Sequence, residues 1–140
     1  MPTPLTEKEQ QAFLAERHVA VLSVSRGNGQ PPMSTPIWYG YEPGGDVTFF
    51  TMAGASKLKL IQRAGVVSLT VQREEPPYKF VTMGGSVVRT ESPPAADQLF
   101  AIASRYMPEA DARGMATSAA GPDRALVTIR PTRWQSADYS

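Results

Sequence analysis

Between Asp46 and Glu74 the chain carries no acidic residue, yet Lys57, Lys59, Arg63 and Arg73 all fall there. Cations gathered without counter-charges suit the holding of an anion. Lys57 and Lys59 also flank the start of a short helix expected over residues 57–62, whose first N–H groups favour anions in their own right. The preceding Ala53-Gly54-Ala55-Ser56 has side chains small enough for a ligand to approach the backbone. Two readings stay open on the residues alone: a phosphate site, or a solvated helix face whose lysines point into water. Two nearby segments, Pro36-Ile37-Trp38-Tyr39-Gly40-Tyr41 and Phe49-Phe50-Thr51-Met52, set aromatics beside small polar groups. They fit either a planar ring lying against them or an ordinary core.

Other chemistry is weakly supported. His18 has no second His and no Cys to join it in a metal site or a triad, so a structural or solvent role is expected. Ser34 lacks a nearby base and a nucleophile-elbow setting. Glu74-Glu75 and Glu109-Ala110-Asp111 lie beside prolines and read as solvated turn charge. Gly27-Asn28-Gly29 is hairpin-turn chemistry, because strand and not helix follows it. No catalytic residue and no metal ligand is assigned.

The elements that must position these residues follow from local pattern. Thr6 and Glu9 have capping-box spacing and predict a helix from about Glu7 to Glu16. Strands are expected at Val19–Ser25, Met33–Tyr41 and Val47–Met52, three in succession that read as an antiparallel meander. The helix of Lys57–Gln62 is stopped by Gly65, and Val66–Arg73 alternates apolar and polar residues as a half-buried strand does. Tyr78–Thr90 is long, and Gly84-Gly85 within it predicts a bulge. Pro93-Pro94 opens a helix to about Tyr106, residues 107–123 read as a loop that is a lid or disordered, and Ala125–Arg130 is a last strand extending toward Trp134. About six strands and two or three peripheral helices give an α+β antiparallel barrel.

Composition bounds the class. The chain has 140 residues, 14 Lys plus Arg against 13 Asp plus Glu, a net charge of +1 and no Cys. That balance offers no global field for nucleic acid, and the missing thiols exclude disulfides, iron–sulfur clusters and cysteine nucleophiles. No apolar run reaches the roughly 18–20 residues of a membrane span, and Met1–Gln11 is too polar for a signal peptide. The expectation is one soluble, cytoplasmic domain over residues 1–140, with a small-molecule substrate and no nucleic-acid or membrane partner.

The order of these pieces resembles the flavin- and deazaflavin-binding split β-barrels related to pyridoxamine 5′-phosphate oxidase. The residues that carry it are the helix ending in Phe13-Leu14-Ala15-Glu16-Arg17-His18, then Val19-Ala20-Val21-Leu22-Ser23-Val24 and Pro32-Met33-Ser34-Thr35-Pro36-Ile37-Trp38-Tyr39. Val47–Thr51, Ser56-Lys57-Leu58-Lys59-Leu60-Ile61 and Val66–Val71 continue the series. The run from Thr51 through Lys57 looks like the branch that uses the deazaflavin coenzyme F420, and the Glu16-Arg17-His18 entry is similar to the group containing biliverdin reductases. The resemblance implies that Lys57 binds the cofactor phosphate with Ser56 and Lys59 beside it. It also implies that Ser34, Thr35, Pro36 and Ile37, with Thr51 and Met52, border the ring. Family members are usually homodimers, which implies that Tyr78, Lys79 and Trp134 reach the partner's cofactor. Two departures are visible: Gly-Ala-Ser precedes Lys57 where relatives often have Arg, and the extension that holds pyridoxal phosphate in the true oxidases is not expected after Ser140. The implied function is hydride transfer from reduced F420 to a conjugated acceptor such as a tetrapyrrole or quinone, in an opening bordered by Trp38 and residues 107–123. The alternatives are an FMN enzyme of the pyridoxamine-phosphate-oxidase kind and a non-catalytic flavin or haem binder.

Overall fold

In the computed structural model, which describes residues 2–140, helix α1 spans Glu7–Ala15. Its capping box is closed in both directions: the Glu9 N–H donates to the Thr6 hydroxyl, and the Thr6 N–H donates to the Glu9 carboxylate. Strands β1 (Ala20–Val24) and β2 (Met33–Ile37) follow, joined by a turn in which Gly27, Asn28 and Gly29 all take positive φ. Next come β3 (Val47–Met52), α2 (Ser56–Ala64), β4 (Val66–Arg73) and β5 (Lys79–Glu91). Gly65, at φ 74°, ends α2 in the left-handed conformation and turns the chain directly into β4. Helices α3 (Ala96–Ala103) and α4 (Glu109–Ser118) form a hairpin before β6 (Arg124–Asp138).

The six strands make one antiparallel sheet in the order β2-β1-β4-β5-β6-β3, curled into a half-barrel. Alternate residues fill its interior: Leu22 and Val24 of β1, Phe49 of β3, Leu69 and Val71 of β4, Val81 and Met83 of β5, Val127 and Ile129 of β6. Phe13 and Leu14 of α1 and Leu58 and Ile61 of α2 close it, each such side chain contributing about 1.5–3 kcal/mol by leaving water. The α3–α4 hairpin has its own small cluster, Leu99, Ala116 and Ala119, which packs on Phe50 and Phe100. Among the described residues no helix is long and apolar enough to cross a membrane.

The split barrel is as expected, and the bulge falls where the two glycines predicted it, at Gly84/Gly85. A side chain at Gly85 would put its Cβ 2.5 Å from Ile129 Cγ2 and 2.7 Å from the Arg130 carbonyl, so only glycine lets β5 lie this close to β6. Four expectations are corrected. The meander does not form: β2 and β3 are the two sheet edges, an isolated bridge joins Gly40 in the segment after β2 to Thr48 of β3, and β3 pairs with β6. Pro36 lacks an N–H, β2 stops at Ile37 and not at Tyr41, and the long β6 offers β3 a complete ladder instead. Residues 107–123 are not a structureless loop but contain α4, so there are four helices. Its buried face is Ala112 and Ala116, with Ala119 at its end, and alanine leaves almost no apolar periodicity to read. Helix α3 starts at Ala96, after the prolines, and stops at Ala103. Strand β6 runs through Pro131 to Asp138, because Pro131 lies opposite Gly85 at the bulge, where the ladder is already irregular.

Candidate functional site

Helix α2 begins without a side-chain cap. Ala55 holds the N-cap position and the N–H groups of Ser56 and Lys57 are left outside the helical ladder. Around this end lies a pocket of about 570 Å³ lined by Ser56, Lys57, Lys59, Leu60 and Arg63 of α2, Met33 and Thr35 of β2, and Arg26 from the turn after β1. All four charged residues in it are cations. Two are fixed by the chain itself: Arg63 donates to the Arg26 carbonyl at 3.0 Å, and Arg26 donates to the Pro31 carbonyl at 2.9 Å. Among the described residues none of the four takes part in an ion pair. Burial pushes the Lys57 ammonium below the usual lysine range, the mark of a cation whose charged form lacks a partner.

Lys57 also lines a second space, the one residue common to both walls. This groove, about 400 Å³, is walled by Val19, Pro36, Ile37, Trp38, Phe50 and Met115, so Lys57 is its one charged residue. The Trp38 ring is backed by Tyr106, stacked at 4.8 Å with the planes 6° apart. Tyr106 is in turn held by its hydroxyl, which donates to the His18 carbonyl at 2.7 Å and accepts from the Tyr39 N–H at 3.2 Å. Burial raises the Tyr106 hydroxyl above the usual tyrosine range, so it stays a donor further into alkaline pH than an ordinary tyrosine. Arg105 beside it donates to the Glu16 carbonyl at 2.8 Å, tying the end of α3 to the end of α1. His18 is structural: its Nε2 donates to the Phe13 carbonyl at 3.0 Å.

Of the site residues expected from sequence, Thr35, Pro36, Ile37, Ser56, Lys57 and Lys59 line these two spaces. The others lie elsewhere in the chain. Ser34 lines neither space, and its hydroxyl lies 3.0 Å from that of Ser23. Thr51 is buried toward the barrel interior, since Val47, Phe49 and Thr51 share that face of β3, and Met52 at the strand's end is exposed. Tyr78 is exposed, Lys79 lies 3.9 Å from Asp138 and over the Phe13 ring, and Trp134 lines a separate cavity with Glu7 and Arg130. Arg26 and Val19 are not among the expected site residues, and Phe50 and Met115 enter the expectation only within segments, Phe50 in the Phe49–Met52 run set beside a planar ring and Met115 in residues 107–123 at the opening. For Phe50 a signal existed: period two in β3 turns it to the face opposite Phe49. Met115 lies in the segment expected at the opening, but its helix shows too little apolar periodicity to single it out.

A curled antiparallel half-barrel with an apolar slot and a basic pocket that share Lys57 defines a class, the split β-barrels. Within that class the chain belongs to the pyridoxamine 5′-phosphate oxidase family, whose model matches residues 6–138. No curated protein matches the sequence. Solved structures show the same fold at low identity. An F420 reductase is 21% identical with a TM-score of 0.69, over 89% of this chain and 94% of that one. A conserved hypothetical protein from Mycobacterium tuberculosis is 20% identical with a TM-score of 0.79, over 96% and 86%. The FAD- and haem-binding protein of Mycobacterium smegmatis is 14% identical with a TM-score of 0.69, over 98% and 72%.

Proposed function

We propose that this protein is an F420-dependent reductase, of the branch similar to the biliverdin reductases, working as a cytoplasmic homodimer. The observation that carries the reading is the junction at Lys57 between an uncharged slot and a pocket holding four cations and no carboxylate. F420 has that two-part chemistry: a flat deazaflavin ring joined to a tail with a phosphodiester and several carboxylates. FMN, the alternative, ends in a single phosphate and leaves part of the cation set unused.

In this reading Lys57 and the free N–H groups at the start of α2 hold the phosphate, and Arg26, Lys59 and Arg63 hold the further negative charges. Thr35, Pro36 and Ile37 border the ring, and Trp38 and Phe50 keep water from its face. When bound and reduced, the deazaflavin supplies a hydride to a conjugated acceptor, which takes its proton from water, so no acid or base is required of the chain. Orientation and exclusion of water are the protein's contribution. Val21 and Val66, 42% and 57% exposed on the outer face of neighbouring strands β1 and β4, support the dimer. Ser34, Thr51, Met52, Tyr78, Lys79 and Trp134 belong to the expected set only as contacts made across that dimer or after rearrangement.

The test is turnover in air. Reduced F420 should be consumed only when a quinone or tetrapyrrole is added, since a deazaflavin reacts poorly with oxygen. Reduced F420 left intact across a broad acceptor panel, with FMN bound more tightly, would replace this reading by the FMN enzyme or the flavin or haem binder. Light scattering at micromolar concentration should give twice the 15.2 kDa chain mass; a species of 15.2 kDa alone would remove the dimer.

A further inference from the structure

We infer that the α3–α4 hairpin selects the electron acceptor, with Met115 setting the size of acceptor admitted, and that the acceptor is flat, conjugated and uncharged where it enters the groove. The inference rests on the reductase reading above and concerns the side of the groove that the cofactor anchors do not touch. Three observations carry it.

The first is charge. Apart from Lys57, at the junction with the basic pocket, every residue of the groove wall is uncharged. A carboxylate or sulfonate deep in that slot would lose its water without gaining a partner, a penalty a neutral ring avoids. This divides the two proposed acceptor types: a neutral quinone suits the slot, whereas a tetrapyrrole carrying two propionates does not.

The second is that the two sides of the slot differ in firmness. Trp38 is clamped by its stack on Tyr106, and Tyr106 is held through two hydrogen bonds to the segments at His18 and Tyr39. Met115 comes from α4, which packs through Ala116 and Ala119 on Leu99, Phe50 and Phe100, with the Arg113 guanidinium 4.8 Å over the Phe100 ring. Alanines bury little area, so this side of the slot is held by fewer large side chains than the Trp38 side. The third is the side chain itself. Methionine is unbranched and adaptable, which lets it follow the outline of different flat molecules, and it is the only residue of the hairpin on the groove wall.

The experiment reads binding as well as turnover. In a Trp134→Phe background Trp38 is the sole tryptophan, and its quenching reports occupancy of the slot. The protein is saturated with oxidised F420 and titrated with menadione, with its size-matched anionic counterpart 2-hydroxy-1,4-naphthoquinone, and with biliverdin. Menadione should bind about tenfold or more tightly than either anion. Met115→Trp should weaken menadione by about tenfold and a monocyclic quinone, duroquinone, by less, both read on protein kept saturated with F420. Met115→Ala should shift the preference the other way, toward tricyclic anthraquinone. Equal binding of menadione and its anionic counterpart, or tighter binding of biliverdin, overturns the neutral-acceptor claim on the unaltered groove, with no variant needed. Met115 variants with an unchanged size preference overturn the role of the hairpin. Failure of F420 to saturate the protein counts against the reductase reading instead, and the quinone titrations are then read on the cofactor-free chain, so the two failures are told apart.

Discussion

At the basic end of the groove, Lys57, Lys59 and Arg63 stand on one helix and Arg26 is tied to it by the hydrogen bond from Arg63. At the apolar end, Val19, Trp38, Phe50 and Met115 come from four separate segments, and each is an ordinary hydrophobic residue. The difference is one of physics. Charge acts at a distance and costs little at a surface, so an anion site can be concentrated in a short stretch and backed by a helix terminus. An apolar wall exists only where side chains remove one another from water, so it must be assembled by the whole fold. The basic end should therefore govern affinity, with a strong dependence on salt and pH, and the apolar end should govern selectivity, with little dependence on either.

The largest effect expected from breaking this division is at Lys57, which belongs to both ends. Lys57→Ala should weaken F420 by about 1.5–3 kcal/mol, the scale of a charge-assisted hydrogen bond, or roughly 10–150-fold. Thermal unfolding should barely change, because that ammonium has no partner in the chain. The same residue sets a pH dependence. Burial lowers its pKa in the free protein, and only the ammonium form holds the anion. Affinity should be full below that lowered value and fall as pH rises through it, earlier than for an ordinary lysine, and the slope should be missing in Lys57→Ala.

A smaller effect, on the other side of the comparison, is expected from Tyr106→Phe. It leaves the His18 carbonyl and the Tyr39 N–H without their partner and should cost about 1–2 kcal/mol of stability in a denaturant titration. Acceptor selectivity should loosen as Trp38 loses its fixed backing, while F420 affinity holds. The smallest effect is at Lys59, exposed and screened: Lys59→Ala should cost F420 affinity less than about 1 kcal/mol, and the loss should vanish in high salt.

The same contrast explains what was legible in the sequence. The acid-free stretch around Lys57 is visible without a fold, and the period-two runs of β4 and the Gly84-Gly85 bulge of β5 are local signals that the sheet reproduces. The pairing of β3 with β6 is not local: residues 47–52 meet residues 124–129 only after the barrel closes, and nothing in either segment names the other. Helix α4 is hidden by the alanines of its buried face, so Met115 is legible only as part of residues 107–123 at the opening. Phe50 stands in a run that fits a planar ring, and the alternation of β3 turns it to the face opposite Phe49. Arg26 was not, since a turn residue acquires its place beside α2 only through Arg63.

The central claim is that the slot and the four-cation pocket act as one site for a ring with a polyanionic tail. Calorimetric titration of the purified protein with F420 and, separately, with FMN tests it most directly, repeated at low and high salt. The account predicts tighter binding of F420, with an advantage over FMN that shrinks as salt screens the tail. FMN binding as tightly as F420 or more so, or an F420 affinity indifferent to salt, would contradict it.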